Sequence, residues 1–281
     1  MLKIEMIVDA KNNLGEGPIW DVAEQKLYWI DSLDRFIHCC NADGKTLKSW
    51  AFPTDIGSMA LRKSGGAVLA LANGSHAFDF GSGDVTLIAD SESNSEGRRL
   101  NDGKVDQRRR LVAGSMDRTE AEPLGTLYQL GSDREVRVLD EGIVVSNAPC
   151  WAPDGRTFAD SIRGEIYAYD YDLESGLASN CRLFASARDD PGAPDGGTVD
   201  AEGYVECADR WRAYHPLSTR RERQPRDRVS HCDADQLDVR RPKPRYPLCR
   251  DYGKAERRRR LREVASDPMR KTHQVRSPLM A

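Results

Sequence analysis

Five residues of this chain carry side chains that could do chemistry together: Glu16 in LGEGPIWD, Arg99 and Asn101 in RLNDGKVD, Asn147 in VSNAPCWA, and Asp195 in GAPDGGTVD. Two carboxylates and an amide carbonyl are hard oxygen donors. They suit Ca²⁺, Mg²⁺ or Mn²⁺ and are acceptable to Zn²⁺, so the set points to an oxygen-rich site for a divalent cation. Each residue also has a plainer role. Glu16 can solvate a turn, Asn147 can cap backbone groups, and Asp195 in PDGG is what a turn of that kind prefers. Arg98 to Asp106, RRLNDGKVD, reads on its own as a solvated turn, because Asn, Asp and Gly tolerate left-handed backbone. The chemical reading requires that these distant residues meet.

The elements that would bring them together appear as a repeated rhythm of short apolar runs and turn signals. GPIWDVAEQKLYWIDSLDRFIHCCNADGKTLKSWAF reads as four strands, and GSMALRKSGGAVLALANGSHAFDFGSGDVTLIAD repeats the pattern. A third copy runs from NDGKVD to VRVLDE, a fourth from SNAPCWAPDGRTFADS to SNCRLFAS, and a fifth opens with PDGGTVDAEGYVECAD. Four short strands in about 40 to 50 residues is the signature of a propeller blade. The expected fold is therefore all-β, a six-bladed β-propeller whose last one to two blades are aberrant or incomplete. A β-sandwich would also space short strands evenly. The polar turn that opens each repeat favours the propeller, whose first strands line one channel. Helical periodicity is weak, which disfavours a Rossmann architecture or a barrel with helices.

The 281 residues carry a net charge of -3, with 39% hydrophobic and 31% charged side chains. Such a chain has no general attraction to nucleic acid or anionic membrane. Residues 1–208 hold 21 basic and 35 acidic side chains, about -14, and residues 209–281 hold 21 and 10, about +11. The chain is accordingly divided into a propeller over 1–208 and an arginine-rich segment over 209–281 without blade pattern. Three readings of that segment stay open: text in a shifted frame, a disordered basic tail, or an element built on AERRRRLREV that binds nucleic acid or an acidic partner. Upstream, DQRRRLVAG stands where a glycine-containing turn is expected, and TFADS looks short before the next strand. No apolar run reaches membrane-span length, and MLKIEMIVDAKNN lacks the features of a secretory signal, so a cytoplasmic setting is expected. The seven cysteines include no C-x-x-C pair and read as reduced thiols, and the five histidines lack metal spacing.

LGEGPIWD with LYWID, RLNDGKVD with AGSM, SNAPCWAPDG with YAYDYD, and PDGGTVDAEGY follow in an order that resembles the gluconolactonase and regucalcin family of six-bladed propellers. That resemblance implies a divalent cation held by Glu16, Asn147 and Asp195, with Asp195 also the general base. It implies that Arg99 and Asn101 bind the oxygens of a sugar lactone, which is hydrolysed to the aldonic acid. Some relatives add an acidic side chain after the A-G-[ST]-M segment, for which Glu120 and Glu122 are both candidates. The same oxygen ligands would also serve a non-enzymatic calcium-binding propeller, and the aberrant C-terminal segment leaves a catalytically impaired member as a further alternative.

Overall fold

The computed structural model of the chain describes residues 6–92, 97–151, 157–161, 164–186, 194–199, 205–209 and 230–231. Among these residues every regular element is a β-strand. Strands β1 (Gly15–Asp21), β2 (Lys26–Asp31), β3 (Phe36–Asn41) and β4 (Lys48–Ala51) form one antiparallel sheet in chain order. The next sheet contains β5 (Ile56–Leu61), β6 (Ala67–Leu71), β7 (Gly74–Phe78) and β8 (Val85–Asp90). A third contains β9 (Arg98–Val105), β10 (Leu111–Asp117), β11 (Gly125–Leu130) and β12 (Val136–Ile143). The fourth contains β13 (Cys150–Trp151), β14 (Thr157–Ser161), β15 (Glu165–Tyr171) and β16 (Ala178–Ser186). These are the four blades expected from the repeats.

The fifth sheet pairs β17 (Pro194–Val199) with β18 (Val205–Asp209), as expected, and adds β19 (Ser230–His231). No strand was expected beyond residue 208. This two-residue strand runs parallel to β18, whereas all pairs in the other four sheets are antiparallel meander contacts. The rest of 209–281 lies outside the described residues, and with it the question of a frame shift, a tail or a binding element.

Blade order follows from where the apolar side chains go. A lone twisted sheet cannot bury both faces, so each blade covers its neighbour. Tyr28, Ile30, Ile37 and Cys39 of the first blade pack with Ile56, Met59, Leu69, Leu71 and Phe78 of the second. Ala60 and Ala70 then meet Leu100, Leu111, Ala113 and Leu130 of the third. Val112, Leu127, Leu139 and Ile143 meet Tyr167, Tyr169 and Tyr171 of the fourth, and Cys150 and Ala168 reach Val199 of the fifth. These faces meet around an axis, as in a propeller and unlike the two-layer core of a sandwich. Cys39, Cys40 and Cys150 are free thiols.

The third seam also carries a polar clamp, and it explains the run DQRRRL. Arg109 takes the left-handed conformation, φ 65°, in the turn where glycine was expected. Arg110 Nε donates to Asp106 Oδ2 at 2.6 Å, and its Nη2 donates to the Leu173 carbonyl at 2.7 Å. Tyr171 Oη donates to the same Asp106 oxygen at 2.7 Å and accepts from Gln129 Nε2 at 2.8 Å. TFADS, which looked short, forms β14 with a register shift between Ala159 and Ser161.

Candidate functional site

The first strands of successive blades lie side by side: β1 against β5, β5 against β9, and β13 against β17. They share a device that the sequence reading had assigned to turns. Glu16, Asn101 and Asp195 sit within strands, and each inner strand long enough to show it carries one extra residue relative to its partner. The register shifts fall at 17–18 in β1, at Gly57 in β5, at 101–102 in β9 and at 195–196 in β17. A bulge lets an Asn-Asp-Gly sequence stay in a sheet and re-aims the side chains beside it. Asn101 is therefore buried, 4% exposed, where a solvated turn would have left it wet. Close approach accompanies the bulges. A Cβ on Gly57 would lie 2.5 Å from the Leu100 carbonyl oxygen and 2.6 Å from that of Asn101, so only glycine lets β5 approach β9 this closely.

Asn101 is the hub. Its Nδ2 donates to Asn147 Oδ1 and to the Ser146 carbonyl, both at 2.9 Å, although 46 residues separate the two asparagines. Its Oδ1 accepts from Arg99 Nη1 at 2.7 Å. Both amide protons are thus engaged, and Asn101 can meet a further ligand only as an acceptor. The Arg99 guanidinium is buried, which lowers its pKa, while the charges of Glu16, Asp55 and Glu120 oppose that shift. Glu16 is thereby placed in the field of Arg99. Of the two later candidates, Glu120 acts on Arg99, whereas Glu122 donates its backbone N–H to Asp117.

Asp195 is half-buried on β17. Its charge acts on Asp102, a residue the sequence reading passed over as part of a turn. Burial pushes the Asp102 carboxyl up to about 6, and the Asp195 charge adds to the shift. Asp102 accepts the Ala148 N–H at 2.8 Å and the Gly103 N–H at 2.8 Å, and the nearby Lys104 charge opposes its rise. Asp55 was missed as well. It is 5% exposed and pairs with Arg35 and Arg118 beside Arg99. Nothing in a single Asp beyond a turn distinguishes it in sequence; only its partners do.

Contacts thus link Arg99, Asn101 and Asn147 directly, and charge interactions connect Glu16 to Arg99 and Asp195 to Asp102. The donor set Glu16, Asn147 and Asp195 fits a hard divalent cation in its chemistry: two carboxylates and an amide oxygen with one lone pair still open. Among the described residues no group of three or more His, Cys, Asp or Glu is placed to hold a metal, so such a site depends on the amide as third donor.

The class defined by these features is a β-propeller with a polar, oxygen-rich cluster on its inner strands. Residues 14–216 match the family model described as the SMP-30/gluconolactonase/LRE-like region, and the chain belongs to that family. A regucalcin of Xenopus laevis is 35% identical over 216 residues, covering 73% of this chain and 72% of the relative. A crystal structure described as a calcium-binding protein, regucalcin, from Agrobacterium tumefaciens superposes with TM-score 0.69 at 27% identity, covering 72% of this chain and 70% of that one. A gluconolactonase from Xanthomonas campestris shares the fold, with TM-score 0.59 at 20% identity and 70% of each chain covered. Among the described residues no helix is long and apolar enough to cross a membrane.

Proposed function

We propose that this chain hydrolyses a sugar lactone of the gluconolactone kind to its aldonic acid, with one divalent cation, Ca²⁺, Zn²⁺, Mn²⁺ or Mg²⁺, held by Glu16, Asn147 and Asp195. The observation that carries the reading is the Asn101–Asn147 hydrogen bond of 2.9 Å, which joins two blades at the residues named by the family motifs. Family membership over residues 14–216 supports the reaction class. A bound cation would supply polarisation of the lactone carbonyl, stabilising the charge that builds as water attacks.

The chain's own residues do the rest. Asp195 takes the proton from the attacking water, a role open to a carboxylate within reach of the nucleophile. The Arg99 guanidinium has N–H groups left over after its bonds to Asn101 Oδ1 and the Leu100 carbonyl, and these orient sugar oxygens. Asn101 accepts from a sugar hydroxyl through Oδ1 while its amide holds Asn147 in place. All these residues lie within 1–208, in a cytoplasmic setting with reduced cysteines. The reaction needs neither nucleic acid nor membrane.

The test is hydrolysis of gluconolactone by the purified chain with added Ca²⁺, Mn²⁺ or Zn²⁺, then with excess chelator. Chelator-sensitive turnover, lost in Asp195→Asn and retained with a raised KM in Arg99→Lys, is expected. Full activity in Asp195→Asn would remove that residue from the role of base. A second reading, calcium binding without catalysis, draws support from the regucalcin neighbour described as calcium-binding. Tight Ca²⁺ binding with no turnover on any tested sugar lactone selects it, and would equally describe a member impaired by its C-terminal segment.

A further inference from the structure

The segments bearing two of the three proposed cation ligands are tied to one strand by side chains that the proposed chemistry does not use. Asp102 Oδ2 accepts the N–H of Ala148, the residue after Asn147, at 2.8 Å. Ala148 has φ 54°, left-handed backbone that a residue with a Cβ adopts only when its surroundings impose it. Lys104, two residues further along β9, donates from Nζ to the Gly197 carbonyl at 2.9 Å, in the PDGG segment that carries Asp195. The two held segments also touch, since a Cβ on Gly197 would lie 2.8 Å from that of Ala148.

We infer that Asp102 and Lys104 are positioning residues, which clamp the Asn147 loop and the β17 segment of Asp195 to β9 and so set the spacing of the oxygen donors for a divalent cation. This rests on the proposed cation site and deepens it. The bulge at 101–102 makes the clamp possible. Without the extra residue, Asn101 and Asp102 would alternate to opposite faces of β9; with it, Asn101 reaches Asn147 while Asp102 reaches the very next backbone amide. Fixing a ligand through its neighbours in this way typically accounts for about 10- to 100-fold in metal affinity.

The experiment measures Mn²⁺ binding to the full chain by electron paramagnetic resonance, alongside thermal unfolding of the chelator-treated protein. Asp102→Ala is expected to weaken Mn²⁺ binding about 10-fold or more. Asp102→Asn, which keeps an oxygen acceptor for Ala148, should recover part of that loss. Lys104→Met should weaken binding by a smaller factor, and Lys104→Arg should restore it. Because Lys104 is exposed, its variants test the clamp without disturbing the core, even where Asp102→Ala fails to fold. Wild-type Mn²⁺ affinity in folded Asp102→Ala or in Lys104→Met overturns the inference while leaving the cation site standing. Absence of Mn²⁺ binding by the unaltered chain overturns both the clamp and the site beneath it.

Discussion

At the scale of single residues, the half-buried Asp102 behaves unlike the buried carboxylates. Asp31 and Asp117 accept several hydrogen bonds from loop N–H groups, and Asp55 faces two arginines. All three are also desolvated, yet those partners hold their pKa values below the usual carboxylate range. Their contribution to stability is present above the unfolded pKa and is lost as the pH falls through the folded one. For Asp102, burial outweighs its two N–H donors, and its pKa rises to about 6. The native state then holds a proton that the unfolded chain has released, so this stabilisation is complete below about pH 4 and disappears as the pH rises through about 6. In metal-free protein, unfolding midpoints of wild type and Asp102→Asn should converge in acid and separate between about pH 4 and 6, with the wild type falling relative to the variant. Parallel pH profiles would assign Asp102 an ordinary carboxylate pKa.

At the scale of elements, the inner strands act as a set, and two substitutions separate their jobs. Gly57→Ala places a methyl group against the Leu100 and Asn101 carbonyls, so β5 must move away from β9 at the hub of the site. Overpacking of this kind costs about 1–3 kcal/mol. Urea unfolding should register that cost, and lactone turnover should fall further than global stability alone would require. Asp106→Ala acts on the polar cluster of the third seam. It leaves the Arg110 guanidinium, in a residue 9% exposed, without its ion-pair partner, and takes an acceptor from Tyr171. Loss of about 3 kcal/mol of unfolding free energy is expected. The ratio of lactone turnover to folded protein should stay near wild type, because the bonds among Asp106, Arg110, Leu173 and Tyr171 involve none of the proposed ligands.

At the scale of the whole molecule, the seams and the inner cluster connect successive blades in different ways. The seams are mostly apolar and join only neighbours, as in repeat proteins whose stability is a sum of nearest-neighbour terms. A cation held by Glu16, Asn147 and Asp195 would instead join the first, fourth and fifth blades directly. Ca²⁺ at about 100 times its dissociation constant should therefore raise unfolding stability by about 2.7 kcal/mol. Chelator should reverse that shift, and Asp195→Asn should abolish it. A shift that survives in Asp195→Asn would place the ion elsewhere.

The blades were legible in the sequence because strands announce themselves locally. Runs such as KLYWID and EIYAYDY, separated by turn residues at an even spacing, need no knowledge of their neighbours to be read. The opening motifs were legible as a set for the same reason, since each recurs at one place in the repeat. What local pattern could not convey was that Asn101, Asp102 and Asp195 lie on bulged strands and not in turns. A bulge is defined by the register of the paired strand, and the same Asn, Asp and Gly suit a turn equally well. Nor could it mark Asp102 and Asp55, whose roles arise from an amide or arginine many residues away. The sequence by itself determined the repeating strands and the kinds of donor atom they carry. Only the tertiary structure decided which of those donors touch, because cross-blade contacts depend on how the sheets close around a common axis.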